Sequence, residues 1–285
     1  MRPAKYWVVL AACLVAACST TQTMTSPTGL PRAATFQTIP CAQPNITGFP
    51  DLDFPAGVRC GYLTVLENRA KPDGRRIRIF VMRAPAVSAT PKHDPVVYLS
   101  GGPGGAGSFE VASLVKKGLN AEREIIFVDQ RGTHRADPLL RCPGWEQFLF
   151  DSVSVPFAAE SSTAADAAAL RECRDRLAAN GVDLASYNST ENAADIADLR
   201  VALGIDSWSV YGVSYGSRLA LIVLRDHPQG IRSVVLDSVS PPPSTSSRRG
   251  GPLRPALSRR SSLHVLPSSP VPPPTQAWKQ TSRPP

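Results

Sequence analysis

Ser214 stands between two glycines in the segment Gly212-Val-Ser-Tyr-Gly216, where strand-like patterning gives way to helix-like patterning. A serine hydroxyl becomes a useful nucleophile when a tight turn lifts it clear of the backbone and places it beside a base. Glycines at both flanks leave room for such a turn because they carry no side chain. The spacing therefore predicts a nucleophile elbow with Ser214 as the attacking group.

A second stretch could stabilise the negative charge that such an attack creates. The loop Gly101-Gly-Pro-Gly-Gly105 follows a short apolar run and could turn backbone N–H groups inward. An oxyanion needs two donors, and the pattern assigns them to the amides of Tyr215 and Gly102, because Pro103 has no N–H. Phosphate binding by this loop is disfavoured, since the lysine-containing pattern of phosphate-binding loops is missing.

Alternating strand and helix patterns predict an α/β protein with a mostly parallel sheet and flanking helices. The predicted strands are 61–67 and 76–82, an antiparallel pair, followed by 95–99, 124–129, 208–211 and 232–237. The predicted helices are 164–179, 191–203 with Thr190 as its cap, and one after Ser214 that ends at His227. Asp195 and Asp198 are interpreted as part of a solvated helix face rather than as a catalytic pair.

Four segments resemble one family of hydrolases and occur in that family's order. They are Gly101-Gly-Pro-Gly-Gly105, Ile125-Ile-Phe-Val-Asp-Gln-Arg-Gly-Thr133, Gly212-Val-Ser-Tyr-Gly216 and Val234-Val-Leu-Asp237. Together they are similar to the proline iminopeptidases and secreted tripeptidyl aminopeptidases of the α/β-hydrolase superfamily. The resemblance runs from about Cys60 to about Pro242 and implies the N-terminal half of an α/β-hydrolase fold.

The resemblance also implies a chemistry, namely release of N-terminal residues from short peptides through an acyl-enzyme on Ser214. Family members continue the Asp-Gln-Arg-Gly-Thr run with glycine, whereas this chain has His134. The catalytic base of the family follows the nucleophile in the order Ser, Asp, His, so His134 is interpreted as a solvated loop residue.

The acid and base of a triad are not evident after Ser214. The only later acids are Asp226 and Asp237, and the only later histidines are His227 and His264. We interpret Asp237 as a structural strand-end residue and expect the triad Asp and His to be absent, which predicts a truncated, weakly active or inactive form. A non-catalytic envelope lipoprotein with a binding role and an esterase of the same fold remain as alternatives.

The N-terminus is typical of an export signal. Two basic residues precede an apolar run, and Val15-Ala-Ala-Cys18 is similar to a lipoprotein cleavage box, which predicts Cys18 as the lipidated residue. Leu10-Ala-Ala-Cys13 fits less well because its apolar core is short, and an ordinary secretory signal cut nearby is the alternative. Residues 1–18 would then be the signal segment and 19–40 a flexible tether, with a membrane-anchored envelope location.

Export gives the remaining cysteines a role. Cys41, Cys60, Cys142 and Cys173 form an even set, and proximity along the chain favours Cys41 with Cys60 and Cys142 with Cys173. A metal site is disfavoured, because no ligand spacing fits one, and reduced buried cysteines are the other alternative. No cofactor is expected; the predicted partners are a peptide or small ester and the membrane.

The formal net charge of +8 is concentrated at the two ends. Residues 242–285 contain six Arg, one Lys and no acid, and the body of the chain, 19–241, which includes the partial hydrolase domain 41–241, is close to neutral, which argues against nucleic-acid binding. This tail is rich in Pro and Ser and is predicted to be disordered. Because it begins abruptly after Asp237-Ser-Val-Ser-Pro241, we interpret it as the product of a frameshift or truncation.

Overall fold

Seven strands form a single sheet in the computed structural model, which describes residues 33–153 and 160–239. The strands are β1 (Thr35–Ile39), β2 (Arg59–Leu66), β3 (Arg76–Ala84), β4 (Val96–Leu99), β5 (Ile125–Asp129), β6 (Trp208–Val213) and β7 (Ile231–Asp237). Their order across the sheet is β1-β2-β3-β5-β4-β6-β7. The predicted signal segment with Cys18, and the predicted tail 242–285, lie outside the described residues.

The strands divide the sheet into two halves of different direction. The pairs β1–β2, β2–β3 and β3–β5 are antiparallel, whereas β5–β4, β4–β6 and β6–β7 are parallel. The sheet is therefore mixed, with a larger antiparallel part than the sequence predicts. The carboxyl ends of the four parallel strands meet at one edge, which is where α/β folds place their ligands.

Strand β1 corrects the predicted tether. Residues Thr35–Ile39 lie within the segment 19–40, yet they pair with Cys60–Thr64 of β2 along their whole length. Phe36 packs against the main core beside this pairing. The folded region thus begins before residue 41, because a strand too polar to be predicted alone is stabilised by its neighbour.

The described residues form five α-helices: α1 (Val111–Lys116), α2 (Pro143–Asp151), α3 (Glu160–Ala179), α4 (Ser189–Ala202) and α5 (Tyr215–Asp226). The prediction of α4 is right in place but wrong in its cap. Asn188, not Thr190, accepts the N–H groups of Thr190 and Glu191, at 2.9 and 3.0 Å. Helices α1 and α2 are too short to give a clear periodic pattern.

The core lies on both faces of the sheet. On one face, Ile79 and Val81 pack with Ile196 of α4 and Leu219 of α5. On the other face, Phe80, which alternates with them along β3, packs with a second cluster that includes α1. Because α4 and α5 are held against the same face, the loops that precede them are held at the same edge of the sheet.

Two disulfide bonds join the pairs that chain proximity favours, Cys41 with Cys60 and Cys142 with Cys173. The first ties the segment before β2 to that strand. The second ties the start of α2 to α3, where Cys173 and Leu177 form a small separate cluster. Among the described residues, no helix combines the length and apolar character needed to cross a membrane.

Candidate active site

Ser214 lies at the carboxyl end of β6, in the turn that leads directly into α5. Its backbone has φ 53° and ψ −120°, a conformation that costs free energy for a residue with a side chain and that occurs mainly at functional sites. The residue is exposed, and its N–H donates to the carbonyl oxygen of Asp237 on β7, at 2.9 Å. The hydroxyl is thus presented at the edge of the sheet by a sharp turn.

Close backbone contacts explain the glycines on both sides of Ser214. A Cβ atom on Gly212 would lie 2.2 Å from the carbonyl oxygen of Gly216. A Cβ atom on Gly216 would lie 1.9 Å from the carbonyl oxygen of Leu99, at the end of β4. Real Cβ atoms do not approach backbone atoms so closely, so the turn can form only with glycine at both positions.

The glycine loop lies beside the elbow. A Cβ atom on Gly101 would be 3.0 Å from Cβ and 3.5 Å from Oγ of Ser214, so the loop backbone passes beside the nucleophile. The loop is folded back on itself: the N–H of Gly105 donates to the carbonyl oxygen of Gly101, at 3.1 Å, and Ser100 Oγ donates to the carbonyl oxygen of Gly105, at 2.7 Å. Gly102, the predicted donor, adopts a φ of +114° in this fold.

The loop after β5 supports the glycine loop through buried hydrogen bonds. Gln130 Nε2 donates to the carbonyl oxygen of Ser100, at 3.1 Å, and Asn192 Nδ2 of α4 donates to Gln130 Oε1, at 2.7 Å. All three residues are buried. Sequence reasoning did not assign a role to Gln130 or Asn192, because only the fold shows that they meet.

Asp195 is not on a solvated helix face, and that prediction is wrong. Its side chain is 1% exposed and forms a two-point ion pair with Arg131, with both nitrogen–oxygen distances 2.7 Å. Arg69 adds a further contact to Asp195, at 2.8 Å, and also binds Asp198, whose side chain is 40% exposed. The pair joins the loop after β5 to α4, and the polar residue types alone gave no sign of a buried partner.

The prediction of a solvated His134 is also wrong. The residue is 3% exposed, and its ring packs against Phe49 and Phe109, with ring centroids 5.0 and 4.3 Å away. Its Nδ1 is 3.0 Å from Ser108 Oγ, which in turn donates to Asp129 Oδ2. His134 is therefore a buried residue of the loop after β5, and its backbone has a positive φ of 26°.

Among the described residues, the remaining candidate acids and bases make no side-chain hydrogen bond to Ser214 Oγ. His227 caps the end of α5, and His93 precedes β4 at the opposite edge of the sheet. Asp237 ends β7 and accepts a hydrogen bond from the hydroxyl of Tyr211, at 3.1 Å, and burial together with this contact raises the pKa of Tyr211. In the two described ranges, no histidine hydrogen-bonds to Ser214.

A cavity of about 310 Å³ opens between the glycine loop, the loop after β5 and α4. Its walls include Pro103, Leu140, Tyr187, Asn192 and Tyr215. A volume of this size is at the lower end for a small-ligand pocket. A larger cavity, of about 750 Å³, is lined by residues at the amino ends of the parallel strands, so it lies at the other edge from the elbow.

A serine elbow at the carboxyl end of a parallel strand, with a glycine loop at its side, is the arrangement of the α/β hydrolases. A model described as the alpha/beta hydrolase fold matches residues 94–257. The chain belongs to this family.

Three relatives place the chain within the family. It is 30% identical over 200 residues to the tripeptidyl aminopeptidase of Streptomyces lividans, and the matched residues are 67% of this chain and 37% of that protein. It is 26% identical over 211 residues to the serine protease Hip1 of Mycobacterium tuberculosis, covering 71% and 39%, respectively. It is 27% identical over 152 residues to the proline iminopeptidase of Neisseria gonorrhoeae, covering 53% and 34%.

These similarities confirm the resemblance to the aminopeptidase-like branch of the α/β hydrolases. The chain spans between 34% and 39% of the length of the three relatives. The activities named for these longer relatives are therefore proposals for this chain.

Proposed function

We propose that this chain carries the nucleophile of an exported serine hydrolase, most closely an aminopeptidase that releases N-terminal residues from short peptides. The observation that carries the proposal is the geometry at Ser214, a strained, exposed serine held between two glycines that no other residue can replace. Strain of this kind is retained where a fold gains a reactive group from it.

The proposed reaction is acyl transfer to Ser214. The hydroxyl oxygen attacks the carbonyl carbon of the scissile bond, and its proton passes to the leaving amine as that bond breaks. Water then attacks the resulting ester, which releases the acyl group and returns the proton to Ser214. Each attack places a negative charge on the carbonyl oxygen, and we assign its stabilisation to the N–H groups of Tyr215 and Gly102.

Two observations support these donors. Tyr215 is the first residue of α5, so its N–H lies at a helix N-terminus, where partial positive charge favours an oxyanion. The glycine loop passes beside Ser214 at Gly101, and Gly102 is the next residue along it.

The described residues supply no histidine to Ser214, so the acid and base of a triad have to come from outside them. Without a base, acylation slows by orders of magnitude, although oxyanion stabilisation leaves some residual rate. This observation also favours a second candidate function, a binding protein of the same fold with no turnover.

The substrate class follows from the relatives and the cavity. Tripeptidyl aminopeptidase and proline iminopeptidase are the names of relatives, and the cavity of about 310 Å³ beside Tyr215 has room for a small side chain. Small esters are the alternative substrate, because the same nucleophile cleaves them more readily. The two disulfides support export, since such bonds persist in oxidising compartments.

Labelling with a fluorophosphonate, followed by peptide mapping, tests the nucleophile. We expect label on Ser214 only, none in Ser214→Ala, and unchanged label in the matched variant Ser113→Ala, which alters an exposed serine on α1. Label on a different serine contradicts the assignment, and a folded protein without label favours the binding protein.

A peptide with a free amino terminus should be cleaved and its acetylated copy spared; equal cleavage of both argues against an aminopeptidase.

A further inference from the structure

A chain of buried hydrogen bonds runs from α4 to the loop beside Ser214. Asn192 donates to Gln130, at 2.7 Å, and Gln130 donates to the carbonyl oxygen of Ser100, at 3.1 Å. The exposed fractions of these residues are 5%, 2% and 4%. All three residues are buried, and Gln130 and Asn192 also border the cavity of about 310 Å³. Burial makes each of these hydrogen bonds stronger and each broken one more costly.

The orientation of both side-chain amides follows from the last acceptor. The carbonyl oxygen of Ser100 can only accept, so Gln130 must present its NH₂ group there and its oxygen towards α4. Asn192 must then present its own NH₂ group to Gln130. Its Oδ1 is left buried and without a partner among the described residues.

Ser100 passes this constraint to the glycine loop. Its hydroxyl donates to the carbonyl oxygen of Gly105, at 2.7 Å, and Gly105 donates to the carbonyl oxygen of Gly101, at 3.1 Å. Hydrogen bonds therefore connect Asn192 to Gly101 through Gln130, Ser100 and Gly105, and Gly101 lies beside Ser214.

We propose that Gln130 and Asn192 are positioning residues that hold the glycine loop in the shape that stabilises the oxyanion. The inference rests on the proposed function of Ser214. It gives a role in the same site to two residues that make no hydrogen bond to Ser214.

A purely structural role explains the arrangement less well. A buried amide with an unpaired oxygen costs free energy, and apolar side chains of similar size would fill the same space without that cost. What apolar side chains cannot do is hold the carbonyl oxygen of Ser100 in one direction. A misplacement of about 1 Å in a catalytic group is enough to slow a reaction by roughly 100-fold.

Asn192→Asp tests the chain, with Asn120→Asp as its matched control. Asp has the same shape as Asn, but as a carboxylate it has no N–H to donate to Gln130. It instead places an oxygen against Gln130 Oε1, so the hydrogen bond is lost. Asn120 is equally buried, at 4%, donates one bond of 2.7 Å to the carbonyl oxygen of Pro85, and also has an unpaired Oδ1. Asn120→Asp therefore causes a comparable loss of stability away from the elbow.

The first measurement is the rate at which a fluorophosphonate labels Ser214. We expect Asn192→Asp to slow labelling by ~10-fold to ~100-fold, and Asn120→Asp to leave it within about twofold. On an ester substrate, Asn192→Asp and Gln130→Ala should lower kcat, because the loop acts on the transition state. Both side chains also line the cavity of about 310 Å³, so KM measures their separate effect on substrate binding. Equal effects of the Asn192 and Asn120 variants overturn the proposal.

The second measurement separates this proposal from that for Ser214. Hydrogen exchange of the amides of residues 101–105, where glycines carry the N–H groups, reports the loop itself and needs no activity. Faster exchange of these amides in Asn192→Asp but not in Asn120→Asp supports the positioning role. It does so even if the fluorophosphonate does not label the unmodified protein, because the absence of label overturns only the assignment of the nucleophile. Unchanged exchange in both variants overturns the positioning role.

Discussion

A Cβ atom on Gly216 would lie 1.9 Å from the carbonyl oxygen of Leu99. This relationship joins the first turn of α5 to the end of β4, the strand next to β6 in the sheet. Because the two backbones touch, the elbow that presents Ser214 and the strand that leads into the glycine loop keep a fixed distance. The nucleophile and its proposed oxyanion donors are thus positioned by backbone packing.

Gly216→Ala is expected to destabilise the protein severely. The new methyl group has backbone atoms on its contact side, so relief requires movement of α5 or β4, and we expect a loss of more than ~3 kcal/mol in the free energy of unfolding. Urea unfolding followed by circular dichroism measures it. Gly144→Ala is the control, since the new Cβ there meets only the flexible side chain of Glu172, at 3.1 Å, and a similar loss in both variants contradicts the argument.

The elbow and the parallel strands were predictable from the sequence because their signals are local. Glycine spacing and apolar runs report on residues that are close together along the chain, and the strand 208–211 is found within Trp208–Val213. The helix cap was misplaced by two residues, from Asn188 to Thr190, since both residue types favour the same position.

The buried polar residues were not predictable in the same way. Asp195 and His134 have residue types that are usually exposed, and only their partners Arg131 and Ser108, distant along the chain, make burial favourable. Strand β1 is a similar case, because its pairing with β2 supplies the stability that its own residues lack. Tertiary partners decide these features, and a single sequence does not display them.

Asp195→Asn should cost much more stability than the neighbouring change Asp198→Asn. The Arg131 side chain is 2% exposed, and removal of the Asp195 charge leaves it without its two-point partner. Breaking a buried pair in this way lowers the free energy of unfolding by about 3–5 kcal/mol. Asp198 binds only Arg69 near the surface, where such a contact is worth about 0–1 kcal/mol. Urea unfolding of both variants gives the comparison, and equal losses would show that the pair is not important for stability.

The lipid anchor proposed at Cys18 predicts a change in cell fractionation. Cys18→Ser removes the acylated thiol, so the protein should move from the membrane fraction to the soluble fraction. Cys13→Ser is the matched control, because Cys13 ends the weaker cleavage box and should leave the protein in the membrane. Release by Cys13→Ser alone would assign the lipid to that residue, and no release by either change would argue for an ordinary secretory signal.

Tyr98, on β4 beneath the elbow, predicts how stability changes at alkaline pH. Burial, together with the negative charges of Glu110 and Asp237, raises its pKa to about 12 from the ordinary value of 10.0. The folded state therefore favours the neutral phenol. The stability that this provides is fully present below pH 10 and is lost as the pH rises towards 12, because the unfolded chain ionises first.

Tyr98→Phe should flatten this alkaline loss. The variant has no phenol to ionise, so its free energy of unfolding should fall less between about pH 10 and pH 12 than that of the unmodified protein, by ~2 kcal/mol over the range. Urea unfolding at a series of pH values measures the difference, and the values at pH 7, where both side chains are neutral, give the separate effect on packing. Parallel curves for the two proteins above pH 10 would show that Tyr98 ionises equally in the folded and unfolded states.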